Sequence, residues 1–154
     1  MTNNIKQITN NSGFTLIEIM VAIGIIVVLS SVSWVGFKNY QPSLALSAAS
    51  RDLTTDLRLA QQLSITEQIN HGIFFNTSTN EYQLEKFGAT TEVLLSKQLP
   101  TDIVFCAITG LSGAQAIFNP YGSVAYSGSV CLANNKGQSK IIDIKPSGFI
   151  KIQN

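Results

Sequence analysis

The sequence predicts an α+β protein in which a long N-terminal helix packs on an antiparallel β-sheet domain. Three patterns predict it. Residues 14–37 form an apolar run whose only charged side chain is Glu18. Leu46, Ala49, Leu53, Leu57, Ala60 and Leu63 then recur at helical spacings of three and four. Past His71-Gly72 the periodicity becomes that of strands, separated by turn residues.

The apolar run comes first in the chain. Its 24 residues, Phe14 to Phe37, would span about 36 Å as a helix. That crosses a hydrocarbon core of ~30 Å with some tilt, so the first half of the helix is expected to span a membrane. Trp34, Phe37 and Tyr40 stand at its distal end, where amphipathic rings favour the interface. Lys6 and the free terminus favour an inside leader, and Lys38 opposes that signal. The run is too long for a secretory signal core of 7–15 residues, and no cysteine follows early as a lipid attachment point. An ordinary anchor explains everything except Glu18. A carboxylate within a membrane helix costs about 2.5–3.5 kcal/mol on insertion scales and marks a functional candidate.

Pro42 lacks an N–H and clashes with the preceding turn, so it should end or kink this first stretch. The helical pattern resumes from about Ser43 to Ile69, with Arg51, Asp52, Asp56, Arg58 and Gln62 mostly off the apolar stripe. Eight strands follow: Ile73–Asn76, Glu81–Lys86, Val93–Lys97, Ile103–Ala107, Ala116–Asn119, Ser129–Ala133, Lys140–Lys145 and Phe149–Ile152. The last two read as a hairpin around Pro146-Ser147-Gly148, with Ile142, Ile144, Ile150 and Ile152 inward.

Charge and chemistry set further bounds. Only 12% of residues are charged and the net charge is +1, so bulk electrostatics selects no partner. The distribution is uneven. Five acids and two lysines lie between Glu67 and Asp102; four lysines and Asp143 alone follow Ile103. Cys106 and Cys131 lack metal-ligand spacing, and with a single histidine no metal site is expected. In an oxidising compartment these cysteines can form a disulfide; otherwise they are two buried thiols. Any Ser/His/Asp or Cys/His arrangement would have to use His71, which beside Gly72 reads as a turn or capping residue. No phosphate loop or paired-carboxylate signature appears, so neither an enzyme nor a cofactor is expected.

Gly13-Phe14-Thr15-Leu16-Ile17-Glu18, heading an uninterrupted apolar run, resembles the prepilin processing site of type IV pilins and type II secretion pseudopilins. The resemblance implies a pilin-like fold and a leader of residues 1–13, cut by a prepilin peptidase between Gly13 and Phe14. It also implies N-methylation of Phe14, and a register role for Glu18 through the terminal amine of a neighbouring subunit. Residues 14–37 would then be a transmembrane and filament-core helix, and 38–69 its amphipathic continuation. Residues 70–154 would be an extracytoplasmic β-rich domain. The expected partners are the peptidase, membrane lipid before assembly, and other pilins or pseudopilins. The expected location is the bacterial inner membrane, then a filament.

Asp56-Leu57-Arg58-Leu59-Ala60-Gln61, Leu99-Pro100, Phe118-Asn119-Pro120-Tyr121-Gly122 and Ser147-Gly148-Phe149-Ile150-Lys151 look like the GspH/FimT group of minor pilins. This resemblance implies a structural subunit that helps assemble a type IV pilus or a type II secretion filament. The alternative is a pilus-associated DNA-binding minor pilin for natural transformation. Members serving DNA uptake carry a C-terminal Gly-Arg-any-Arg motif. Here Gly148-Phe149-Ile150-Lys151 replaces its arginines with Phe149 and Lys151, and lysine lacks the bidentate fork of arginine. Lys140, Lys145 and Lys151 are the candidate DNA contacts; a solvated polar face is the plainer reading.

Overall fold

A computed structural model describes the backbone of residues 13–153, and every side chain among them except those of 32–39. Lys6, Trp34, Phe37 and Lys38 therefore lie outside the described residues, as does the leader before Gly13. The chain divides into two compact units, one ending at Asn39 and the other comprising Tyr40–Asn154.

Helix α1 is assigned over Leu16–Glu67 and carries Pro42 within it. The helix therefore does not end at Pro42. Proline there forfeits one backbone hydrogen bond, and the turns that follow are held by burial. Leu53, Leu57 and Ala60 are fully buried, and Leu46 and Ala49 nearly so. Burying each of the leucines stabilises by about 1.5–3 kcal/mol, which offsets a ~3 kcal/mol proline defect. The same face buries Ser50, Thr54 and Ser64. Each hydroxyl donates to the carbonyl four residues back, at 2.7, 2.8 and 2.9 Å respectively, so none is left unsatisfied.

Strands β1 (Asn70–Asn76), β2 (Glu81–Phe87), β3 (Thr91–Gln98) and β5 (Gln115–Phe118) form one antiparallel sheet in the order β3-β2-β1-β5. Strands β4 (Ile103–Thr109), β6 (Gly128–Asn134), β7 (Ser139–Ile144) and β8 (Ile150–Gln153) form a second, in the order β4-β6-β7-β8. All eight expected strands are present, divided between two sheets. Phe75 and Phe105 join the sheets edge to face, with ring centroids 5.8 Å apart. Asn80 ties the same corner. Its backbone carbonyl accepts from the Leu99 N–H and its side-chain oxygen from the Phe105 N–H.

The β4–β6 register shifts between Phe105 and Ala107, which makes Cys106 the extra residue of a bulge. Cys106 and Cys131 form a disulfide, with Cα atoms 5.2 Å apart. Phe105 and Leu132 point into the core, whereas Cys106 is exposed and Cys131 half-exposed. The alternative of two buried thiols does not hold.

Two polar residues sit deeper than their pattern suggests. His71 lies within β1 and is fully buried, not at a helix end as a cap or turn. Asp56 is 5% exposed, although it lies off the apolar stripe of its helix. It accepts from the Tyr82 hydroxyl at 2.7 Å and from Lys97 Nζ at 2.7 and 3.0 Å. Those partners are 26 and 41 residues away, beyond any helical periodicity.

Burial, and then the Asp56 hydrogen bond, push the Tyr82 phenol far above its ordinary value of 10.0. Above pH ~10 the unfolded chain ionises this tyrosine while the folded chain does not. Its stabilisation, complete below that pH, is therefore lost as pH rises, at about 1.4 kcal/mol per pH unit. Denaturant titrations at pH 9, 10 and 11 should show this alkaline loss, and Tyr82→Phe should flatten it.

Candidate functional site

The N-terminal unit presents an apolar surface along its described residues. Each residue from Gly13 to Ser31 is exposed, including Phe14 at 80% and Ile17 at 66%. Among the described residues no helix is long and apolar enough to cross a membrane. The described apolar turns, Leu16–Ser31, would cover about 24 Å at ~1.5 Å per residue. The rest of the expected span, with Trp34 and Phe37, falls on side chains outside the description.

At the head of this helix Thr15 and Glu18 cap one another. The Thr15 N–H donates to Glu18 Oε2 and the Glu18 N–H donates to Thr15 Oγ1, both at 3.4 Å. With Leu16 the first helical residue, this is the reciprocal S/T-x-x-E capping box. The signal stood in the sequence as Thr15-Leu16-Ile17-Glu18 and was not read as a cap. Glu18 thus has a local task as well as the intersubunit one implied by resemblance. Its carboxylate stands on the first turn, where the helix dipole favours negative charge.

The three candidate lysines are not one cluster. Lys145 pairs with Asp143 at 2.7 Å, and Lys151 stands opposite Asp143 in the β7–β8 register. Lys140 is set at the other end of β7, opposite Leu132, on the strand face shared with Ile142 and Ile144. Asp143 therefore offsets the two lysines that do come together.

A feature absent from the sequence reading lies where α1 meets the turns of the second unit. Gln61 Nε2 donates to the Gly122 carbonyl at 2.7 Å and to the Gly148 carbonyl at 3.2 Å, clamping two turns to the helix. Both turns share one geometry. Gly148 N–H donates to Lys145 O and Lys145 N–H to Phe149 O; Gly122 N–H donates to Asn119 O and Asn119 N–H to Ser123 O. The glycine in each has a positive φ, +79° and +78°. Beside the clamp runs a groove of about 520 Å³ lined by Arg51, Thr54, Thr55 and Arg58 of α1 and by residues 149–152.

His71 offers no catalytic arrangement. Its Nδ1 is 2.9 Å from the Ile69 carbonyl, to which it donates, and its Nε2 is 3.5 Å from Glu67 Oε2. No serine or cysteine side chain bonds its ring among the described residues. Lys86, hydrogen-bonded to Glu67 at 2.6 Å, holds that carboxyl below its ordinary value. No group of three or more potential metal-ligating side chains gathers among the described residues.

The fold and the head of the helix have known counterparts. Residues 8–34 match the family model of the prokaryotic N-terminal methylation motif. The minor pseudopilin EpsH of the Vibrio cholerae type 2 secretion system superposes with a TM-score of 0.62 at 10% identity, over 70% of this chain and 95% of that one. The type IV minor pilin FimU of Pseudomonas aeruginosa superposes with a TM-score of 0.60 at 12% identity, over 75% and 92%. No curated protein is similar enough in sequence to count as a relative. At such low identity the likeness shows a shared fold, a helix on two sheets. This chain shares the fold of those minor pilin and pseudopilin structures and carries the methylation motif at the head of its helix.

Proposed function

We propose that the chain is a minor pilin or pseudopilin, a subunit of a type IV pilus or type II secretion filament, installed after prepilin peptidase cleavage. The observation that carries this reading is the uncovered apolar helix, residues 14–31, under a methylation motif. Exposed apolar area of this extent requires a cover. Lipid supplies it first, with the run continued through Phe37 spanning the inner membrane and the β-rich domain outside the cytoplasm. Neighbouring helices supply it in the filament, so the helix exchanges one apolar surrounding for another.

Cleavage between Gly13 and Phe14 suits the chemistry of the site. Glycine leaves the scissile backbone without a side chain in the way. Hydrolysis frees an amine on Phe14, one residue before the Thr15 cap, and methylation keeps it cationic. Glu18 is then available to the amine of an adjacent subunit. A buried pair of this kind adds little net stability but penalises every misregistered packing, which leaves a charge unpaired.

N-terminal mass spectrometry of chain purified from membranes with an active prepilin peptidase tests the reading. The expected first residue is N-methylated Phe14. Retention of Met1 would exclude filament entry by this route and leave a tethered domain.

A further inference from the structure

We propose that the open edge of β8 and the basic helix face beside it receive an extended acidic peptide segment as an added strand. This goes beyond the filament reading and stands without it. Strand β8 is the outer strand of its sheet. Lys145 and Phe149 form a hydrogen-bonded pair, so in the β7–β8 register Asp143 and Lys151 form the next one. Antiparallel pairs alternate, which turns the N–H and C=O groups of Ile150 and Ile152 away from β7 toward the free edge. Among the described residues these groups have no partner. Ile150 and Ile152 line the groove that α1 walls on its other side.

The groove has a definite charge. Its lining carries Arg51, Arg58 and Lys151 and no acid, and the adjoining recess along Gln61, Ser147 and Gly148 adds none. Asp143 offsets Lys151, but neither arginine is in an ion pair among the described residues. Arg51 and Arg58 are seven residues apart, two turns on one face, or about 10.5 Å along the axis. That is the span of about three extended residues. Phe149, 61% exposed at the mouth, offers an apolar contact.

Only a polypeptide matches both features. Its backbone supplies alternating donors and acceptors to Ile150 and Ile152, and its carboxylates meet the guanidinium groups. A nucleic acid backbone could meet the arginines but has no N–H to offer the free carbonyls.

The test uses the full chain in nonionic detergent micelles and a labelled peptide of about seven residues alternating glutamate and valine. Saturable binding is expected, weakening with salt and slowing amide exchange at Ile150 and Ile152. Methylating alternate peptide nitrogens should abolish it. Replacing both arginines, Arg51→Gln with Arg58→Gln, should weaken it at least about tenfold, the loss of roughly one charge-assisted contact. Both arginines are exposed helix positions, so the fold should survive, and unchanged far-UV dichroism would confirm that. Four results would overturn the proposal: no binding, equal binding of the methylated peptide, equal binding by the arginine variant, or displacement by oligothymidylate binding more tightly through the same arginines. The last would make the groove a nucleic-acid track.

Discussion

On the proposed filament reading, Glu18→Gln should leave the chain inserted and cleaved, yet cut its recovery in the filament by at least about 100-fold. Removing one partner of a buried charge pair costs about 3–5 kcal/mol, and each 1.4 kcal/mol is a factor of ten. The capping box supplies the control that separates this effect from a local one. Glutamine can still bond the Thr15 N–H, so Glu18→Gln keeps the cap and loses only the charge. Thr15→Ala does the reverse. It removes the hydroxyl that accepts from the Glu18 N–H, at a cost of about 0.5–2 kcal/mol, and leaves the carboxylate intact. Immunoblots of sheared filaments and of membranes should therefore show Thr15→Ala incorporated and Glu18→Gln stranded in the membrane. Equal incorporation of both variants would remove the register role and leave Glu18 as a cap.

Gly148→Ala should be the most damaging methyl group in the folded domain. Gly148 has a φ of +79°, which costs a residue with a Cβ about 1 kcal/mol or more. A Cβ there would also lie 1.9 Å from the Gly122 carbonyl oxygen and 2.4 Å from Gln61 Nε2. Neither neighbour can yield cheaply, because each is held by the other through the Gln61 clamp. The expected loss is about 3–5 kcal/mol, at the severe end for a single substitution. Gln61→Ala, which leaves the two carbonyls to find water, should cost about 1–3 kcal/mol. Urea unfolding of the full chain in micelles measures both. A Gly148→Ala variant as stable as the parent would mean that the two turns are not locked together.

Most of this architecture could be read from local pattern. The stripe Leu46, Ala49, Leu53, Leu57 and Ala60 is buried as its spacing requires, because 3.6-residue periodicity is a property of the backbone itself. Inward-facing Ile142, Ile144 and Ile150 follow from the alternation of strands, and the Pro146-Ser147-Gly148 turn from the one residue type that accepts positive φ freely. Where reading failed, the deciding partner was remote. Pro42 reads locally as an end or a kink because its defect is local, whereas the burial that carries the helix past it is not. Asp56 looked solvent-facing because Tyr82 and Lys97 belong to other strands.

By itself the sequence determined the helix with its apolar stripe and the eight strands. Each of these is set by residues within a few positions of one another, the range over which backbone sterics and side-chain periodicity act. Tertiary structure alone decided that the strands divide into two sheets, that Cys106 meets Cys131 across a bulge, and that Gln61 locks two turns beside a basic groove. Those outcomes depend on which surfaces come together when the core closes, and no local preference encodes a contact made across 25 or 87 residues of chain.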